Sequence, residues 1–105
     1  MTLLNKKNEK QYLKYIREIA KESNYKPDEI ELAHDGKHKL KIGNIKFGSI
    51  DYPDFILFVM NKQFDEAVER RKNYLSRTAN MKGKWKDDPF SRNNLSRRLI
   101  WFSMD

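Results

Sequence analysis

The sequence contains no cysteine. Disulfides, cysteine-ligated zinc, iron–sulfur clusters and thiol catalysis are therefore excluded, and a small cysteine-free chain fits a reducing compartment. Glycine is scarce, with four residues scattered at 36, 43, 48 and 83, so no Gly-rich loop is available to cradle a phosphate. The longest apolar run, Phe55-Ile56-Leu57-Phe58-Val59-Met60, is six residues, and a bilayer crossing needs about 20. The opening Met1-Thr2-Leu3-Leu4 precedes Lys6, Lys7 and Lys10. A signal peptide has the reverse order, charge first, so neither secretion nor membrane insertion is expected. The two histidines, His34 and His38, share one short segment, and no Gly-x-Ser-x-Gly elbow exists. Ser-His-Asp catalysis has no basis here.

The chain is 105 residues and 12.7 kDa, the size of one small domain. Apolar residues are 38% of it, charged residues 35%, and mean hydropathy is −0.93. That balance predicts a folded domain with a modest core, helped by a partner. The net charge of +7 is unevenly placed. Residues 1–69 balance twelve cations with twelve acids. Beyond Glu69 come Arg70, Arg71, Lys72, Arg77, Lys82, Lys84, Lys86, Arg92, Arg97 and Arg98, opposed by Asp87 and Asp88 and then Asp105. A neutral front and a basic back point to an anionic partner for the back; a solvated basic surface is the alternative.

Hydrophobic spacing divides the single domain, 1–105, into three stretches. In 1–28, Tyr12, Leu13, Ile16, Ile19 and Ala20 lie on one face at period 3.6, predicting a helix over 7–23 that ends before Lys26-Pro27. In 29–48 the period changes to two. Ile30 and Leu32, Leu40 and Ile42, and Ile45 and Phe47 alternate with charged residues, with turns at Asp35-Gly36 and Gly43-Asn44. From 51 to 105 the helical period returns in a basic region. Pro53 opens a buried apolar segment behind a Tyr52 or Asp51 cap, and a helix over 62–78 presents Phe64, Ala67, Val68, Arg71, Tyr74 and Leu75 on one side. A loop follows over 79–90, and a last helix over 94–102 has Asn94 as its cap. The expected fold is α+β: an N-terminal helix packed on a three-stranded antiparallel meander, followed by two or three helices.

Two clusters could carry chemistry. His34, Asp35 and His38 flank a turn and could hold a metal, but two histidines beside a flexible turn fall short of a metal site, and the expected role is that of polar hairpin residues. Asp51 and Asp54, with Asp65 and Glu66, invite comparison with Mg²⁺ nucleases. No acid-x-Lys pattern follows Asp54, so helix caps and a solvated face are expected. No metal, cofactor, small-molecule substrate or enzymatic activity is expected.

The basic segment carries the functional expectation. Arg70, Arg71, Arg77, Lys82, Lys84, Arg92, Arg97 and Arg98 are the candidate anion- or partner-binding residues. Tyr74, Trp85, Phe90, Trp101 and Phe102 are interleaved with them as candidate aromatic anchors. Arginine forks onto phosphates and carboxylates and stacks on rings. The combination suits anchors in a protein interface, stacking on single-stranded nucleic acid, or a plain core with snorkelling arginine rims.

The order of short motifs adds a resemblance. Ile45-Lys46-Phe47-Gly48-Ser49, Asp51-Tyr52-Pro53-Asp54-Phe55, the Glu69-to-Arg77 helix with its Arg-x-x-Tyr-Leu-x-Arg pattern, Trp85, and the Asn93-to-Trp101 end follow one another. Together, over roughly residues 39–102, they resemble a small basic family of large eukaryotic double-stranded DNA viruses with no established activity. Many relatives have His after the helix arginine, where this chain has Thr78 after Arg77. The resemblance implies a virion protein, a minor capsid or cement component. Its partners would be assembly proteins with acidic surfaces, or DNA or RNA, and its place the virion, with the host cytoplasm or nucleus during assembly.

Overall fold

The structure, a computed structural model, describes residues 3–103; Met1, Thr2, Met104 and Asp105, including the charge of Asp105, lie outside the described residues. The chain builds an α+β fold: a first helix, a three-stranded antiparallel sheet, then further helices.

Helix α1 (Glu9–Glu22) buries Tyr12, Ile16, Ile19 and Ala20 on one stripe, as the spacing predicts. It ends where Asn24 turns into the left-handed region (φ 64°), letting the Tyr25 N–H donate to the Ala20 carbonyl at 3.0 Å. A 3₁₀ turn, Pro27–Glu29, leads into strand β1 (Ile30–Leu32). Strands β2 (His38–Ile42) and β3 (Ile45–Ser49) complete the meander in the order β1-β2-β3. Ile30 pairs with Ile42, Leu32 and Phe47 both pair with Leu40, and Ile42 pairs with Ile45, which sets the apolar residues in register on one face. Asp35 shapes the β1–β2 turn by accepting hydrogen bonds from the Lys37 and His38 amides at 2.9 and 2.7 Å.

Helices α2 (Phe55–Met60) and α3 (Phe64–Ala79) follow. The α2 cap is Asp54, whose carboxylate accepts from the Leu57 N–H at 3.0 Å; Tyr52 and Asp51 remain in the preceding bend. On α3, Phe64 and Val68 are 58% and 63% exposed, so of the expected apolar side only Ala67 is fully buried, with Tyr74 and Leu75 half-buried further along. Near the C-terminus, α4 (Arg92–Leu95) begins two residues earlier than expected. Its cap is Ser91, whose hydroxyl accepts from the Asn94 N–H, and not Asn94. The chain then widens into a π-helical turn, Ser96–Ile100, closed by the Trp101 N–H on the Ser96 carbonyl. Asn94 instead spends its amide on the Trp85 and Asp88 carbonyls at 2.6 and 2.9 Å, tying the preceding loop to the helix.

The core gathers Tyr12, Ile16, Ile30, Leu40, Phe47, Leu57, Leu95, Leu99 and Trp101 from α1, the sheet, α2 and the C-terminal helical turns, with Tyr74 of α3 packed against it. The C-terminal segment is therefore internal. Gly48, at φ 77°, shows how closely it docks: a Cβ there would meet Ile100 at 3.2 Å.

Candidate functional site

Three groups of residues could do chemistry: a buried polar triad, the arginines of the C-terminal half, and a groove along α3.

The triad is Tyr12, Lys39 and Asp54. Alternation along β2 assigns Lys39 to the polar face, yet its side chain is 2% exposed. Its ammonium meets the fully buried Asp54 at 3.0 Å, and the Tyr12 hydroxyl donates to the same Asp54 oxygen at 2.6 Å. Asp54 thereby satisfies a helix amide, a cation and a phenol at once. Burial, reinforced by the neighbouring Asp54 charge, pushes the Tyr12 phenol well above its usual range. Asp54, rather than the expected Tyr52 or Asp51, is thus the cap of α2, and it is buried rather than part of a solvated face.

The expected arginine cluster divides by burial. Arg97 turns inward: it donates to the Leu75 carbonyl at 2.8 Å and to the Thr78 hydroxyl, and its guanidinium lies over the Trp85 ring at 5.3 Å. A cation among the last carbonyls of α3 complements the helix dipole. Arg98 is half-buried, with Nη1 3.5 Å from the Tyr25 hydroxyl. Arg71 lies over Phe55 at 5.3 Å. These three are largely engaged within the fold. Lys82, Lys84 and Arg92 are exposed, and no described acid pairs with them. They form a rim around the 81–92 loop, beside a half-buried Trp85 and a Phe90 that stays 42% exposed while its ring meets Tyr25 edge-on.

The aromatic candidates divide in the same way. Trp101 is a core residue stacked on Tyr74, with centroids 4.6 Å apart and planes 12° apart. Phe102 packs near Phe55 at 6.2 Å. Burial raises the Tyr74 phenol above its usual range, partly offset by Ser96, Arg77 and Arg97. Burial does the same at Tyr25, against an opposing pull from Arg98.

The groove, of about 720 Å³, runs between the α3 face bearing Arg70, Asn73, Tyr74 and Arg77 and the bend at Tyr52-Pro53, with Lys39 in its floor. It brings four of the expected residues together: Arg70, Arg77, Tyr74 and Trp101. The remaining nine lie outside its lining. Lys39, Ser49, Tyr52 and Asn73 also line this site; Ser49, Tyr52 and Asn73 fall within the quoted motifs, but none of the four was among the expected site residues. Only the i, i+3, i+4, i+7 spacing of 70, 73, 74 and 77 signals that part of the wall. Among the described residues no carboxylate lines the groove. The Arg70 Nε is held by Glu66 at 2.7 Å, and Arg77 sits over the Tyr74 ring at 5.5 Å.

At the hairpin, the His38 ring meets Asp35 at 2.8 Å, and hydrogen bonds from the His38 amide and ring and the Lys37 amide hold the Asp35 carboxyl well below the usual range. Among the described residues no group of three or more His, Asp or Glu is placed to hold a metal ion. No helix among them is long and apolar enough to cross a membrane. Comparison with protein-family models, curated proteins and solved structures gives no match to this chain.

Proposed function

We propose that this chain is a non-enzymatic virion protein of a large DNA virus, a minor capsid or cement component, docked through its basic C-terminal half onto acidic faces of neighbouring subunits. The observation that carries this reading is the rim of Lys82, Lys84 and Arg92, exposed and without a described acidic partner beside Trp85 and Phe90. Cations within one short segment repel one another, Asp87 and Asp88 offset them only in part, and an oppositely charged surface relieves the remaining cost. Half-exposed rings next to such cations supply the apolar contact that charge alone lacks. The viral assignment itself rests on the motif resemblance over residues 39–102.

The test is fractionation of purified particles from infected cells. The protein is expected in the particle fraction, and the K82E/K84E/R92E variant is expected to fold with an unchanged melting temperature and to be lost from particles. Abundance in infected cells together with absence from particles contradicts the reading. Nucleic-acid binding through the same region is the second reading, favoured by the exposed Lys82, Lys84 and Arg92 together with Lys86, which lies 5.6 Å from the Trp85 ring. It requires affinity that falls with salt at a log–log slope of about −0.9 per phosphate contact on a duplex. A gel-shift series with no binding from low to physiological salt removes it.

A further inference from the structure

The rim leaves the groove along α3 unused, and the groove has features that the rim lacks. It is a half-open concavity of a volume suited to a single small ligand, since such sites measure roughly 300–1,000 Å³. Its polar groups are cations and neutral hydrogen-bonding groups, with no carboxylate among the described lining residues. Arg70 and Arg77 stand two helical turns apart, about 10 Å along the axis, with Asn73 between them. The Nη groups of Arg70 and all the donors of Arg77 have no acceptor among the described residues. Lys39 and Arg70 each have a carboxylate partner, Asp54 and Glu66, and both partners lie outside the lining, so the surface presented to a ligand is cationic.

The rings of the groove are also distinguishable. Tyr74 has one face against Trp101 and carries Arg77 over its ring, so it supports the wall. Tyr52 lines the groove and is 69% exposed, so its ring is open to a ligand. An exposed ring beside arginines suits a ligand that is itself part ring and part anion.

We propose that this groove is a binding site for a nucleoside phosphate, with the phosphate held by Arg70 and Arg77, the base stacked on Tyr52, and Asn73 and Ser49 available to hydrogen-bond the base edge or sugar. Guanidinium forks match phosphate oxygens, and an amide that both donates and accepts suits a base edge. An acidic peptide shares the charge but has no use for an open ring paired with a concave groove of single-ligand size; protein docking generally spreads over about 800 Å² per partner. The nucleotide has two sources, a free nucleotide or one residue of a single strand. This inference stands apart from the docking reading, because it uses other residues.

The experiment is fluorescence anisotropy on the full chain with two probes: a labelled nucleoside monophosphate and a short labelled single-stranded oligonucleotide. Both are expected to bind, with affinity falling as salt rises. R70A/R77A is expected to weaken binding by about tenfold or more, and Y52A by a smaller factor. K82E/K84E/R92E is expected to leave mononucleotide binding within about twofold. These side chains are exposed, so the melting temperature of each variant is expected to match the parent. Equal affinity for the two probes assigns the site to a free nucleotide, and much tighter oligonucleotide binding assigns it to a strand. Absence of binding of both probes, binding unaffected by R70A/R77A, or capture of an acidic peptide that nucleotide does not displace overturns the proposal. Inorganic phosphate binding as tightly as the nucleotide, with Y52A without effect, also overturns it. Loss of particle incorporation in the rim variant with nucleotide binding intact separates the two proposals.

Discussion

Lys39 and Asp54 form an ion pair of 3.0 Å in which both side chains are buried, one 2% exposed and the other not at all. The pair joins the middle strand to the start of α2, and Tyr12 extends it to α1. Removing one member strands the other as an uncompensated buried charge, at a cost of about 3–5 kcal/mol. Asp54→Ala also loses a helix cap, which contributes about 1 kcal/mol. Urea titration is expected to show D54A as strongly destabilised, and the double variant K39M/D54N as more stable than either K39M or D54A alone. The asparagine amide introduced by D54N keeps a capping oxygen without leaving a charge behind.

The Tyr12 phenol imposes a pH limit. Its folded pKa is raised above the unfolded value of 10.0, by burial first and by Asp54 second. Below pH 10 both states hold the proton and the full stability is present. Above it the unfolded chain releases a proton that the folded chain retains, so stability falls as pH rises. Alkaline unfolding curves are expected to steepen beyond pH 10, and Tyr12→Phe is expected to reduce that steepness. At neutral pH the same variant is expected to be less stable by about 1–3 kcal/mol, because Asp54 loses a buried donor.

The arginines are expected to separate into two classes by thermal unfolding. Arg97→Ala removes charged hydrogen bonds to α3 and a stack on Trp85, and is expected to cost about 1–3 kcal/mol. Lys82→Ala and Arg92→Ala remove exposed charges with no described partner and are expected to change stability by less than about 0.5 kcal/mol.

Gly48 provides a backbone test. Its φ of 77° and the 3.2 Å approach of Ile100 to a would-be Cβ both oppose a side chain. Gly48→Ala is expected to destabilise by about 1–2 kcal/mol, measured by chemical denaturation.

Much of this architecture was legible from hydrophobic period. The α1 stripe, the meander and its turns follow from spacing, because one face of each element is apolar and the other charged. The period fails where a second layer covers the charged face. Lys39 alternates correctly with Leu40, but Ile100 and Asp54 close over it, and alternation carries no record of a distant covering segment. Asn94 has a capping residue's chemistry but lies three residues after Ser91, so its amide is free to reach the loop carbonyls. The candidate cations could be read from charge, but which ones face solvent could not: Arg97 and Lys82 differ only in what folds against them. The groove was half legible, as Arg70, Tyr74 and Arg77 share a helical face, while Tyr52 and Lys39 reach it through tertiary packing alone.

The docking account is tested most directly by lysine acylation footprinting of purified particles against the free protein, read by mass spectrometry. Lys82 and Lys84 are expected to label readily in the free chain and to be protected in particles, with Lys14 on the opposite half of the sequence serving as an accessible reference. Equal labelling of Lys82 and Lys84 in both states would contradict the claim that this edge is where the partner sits.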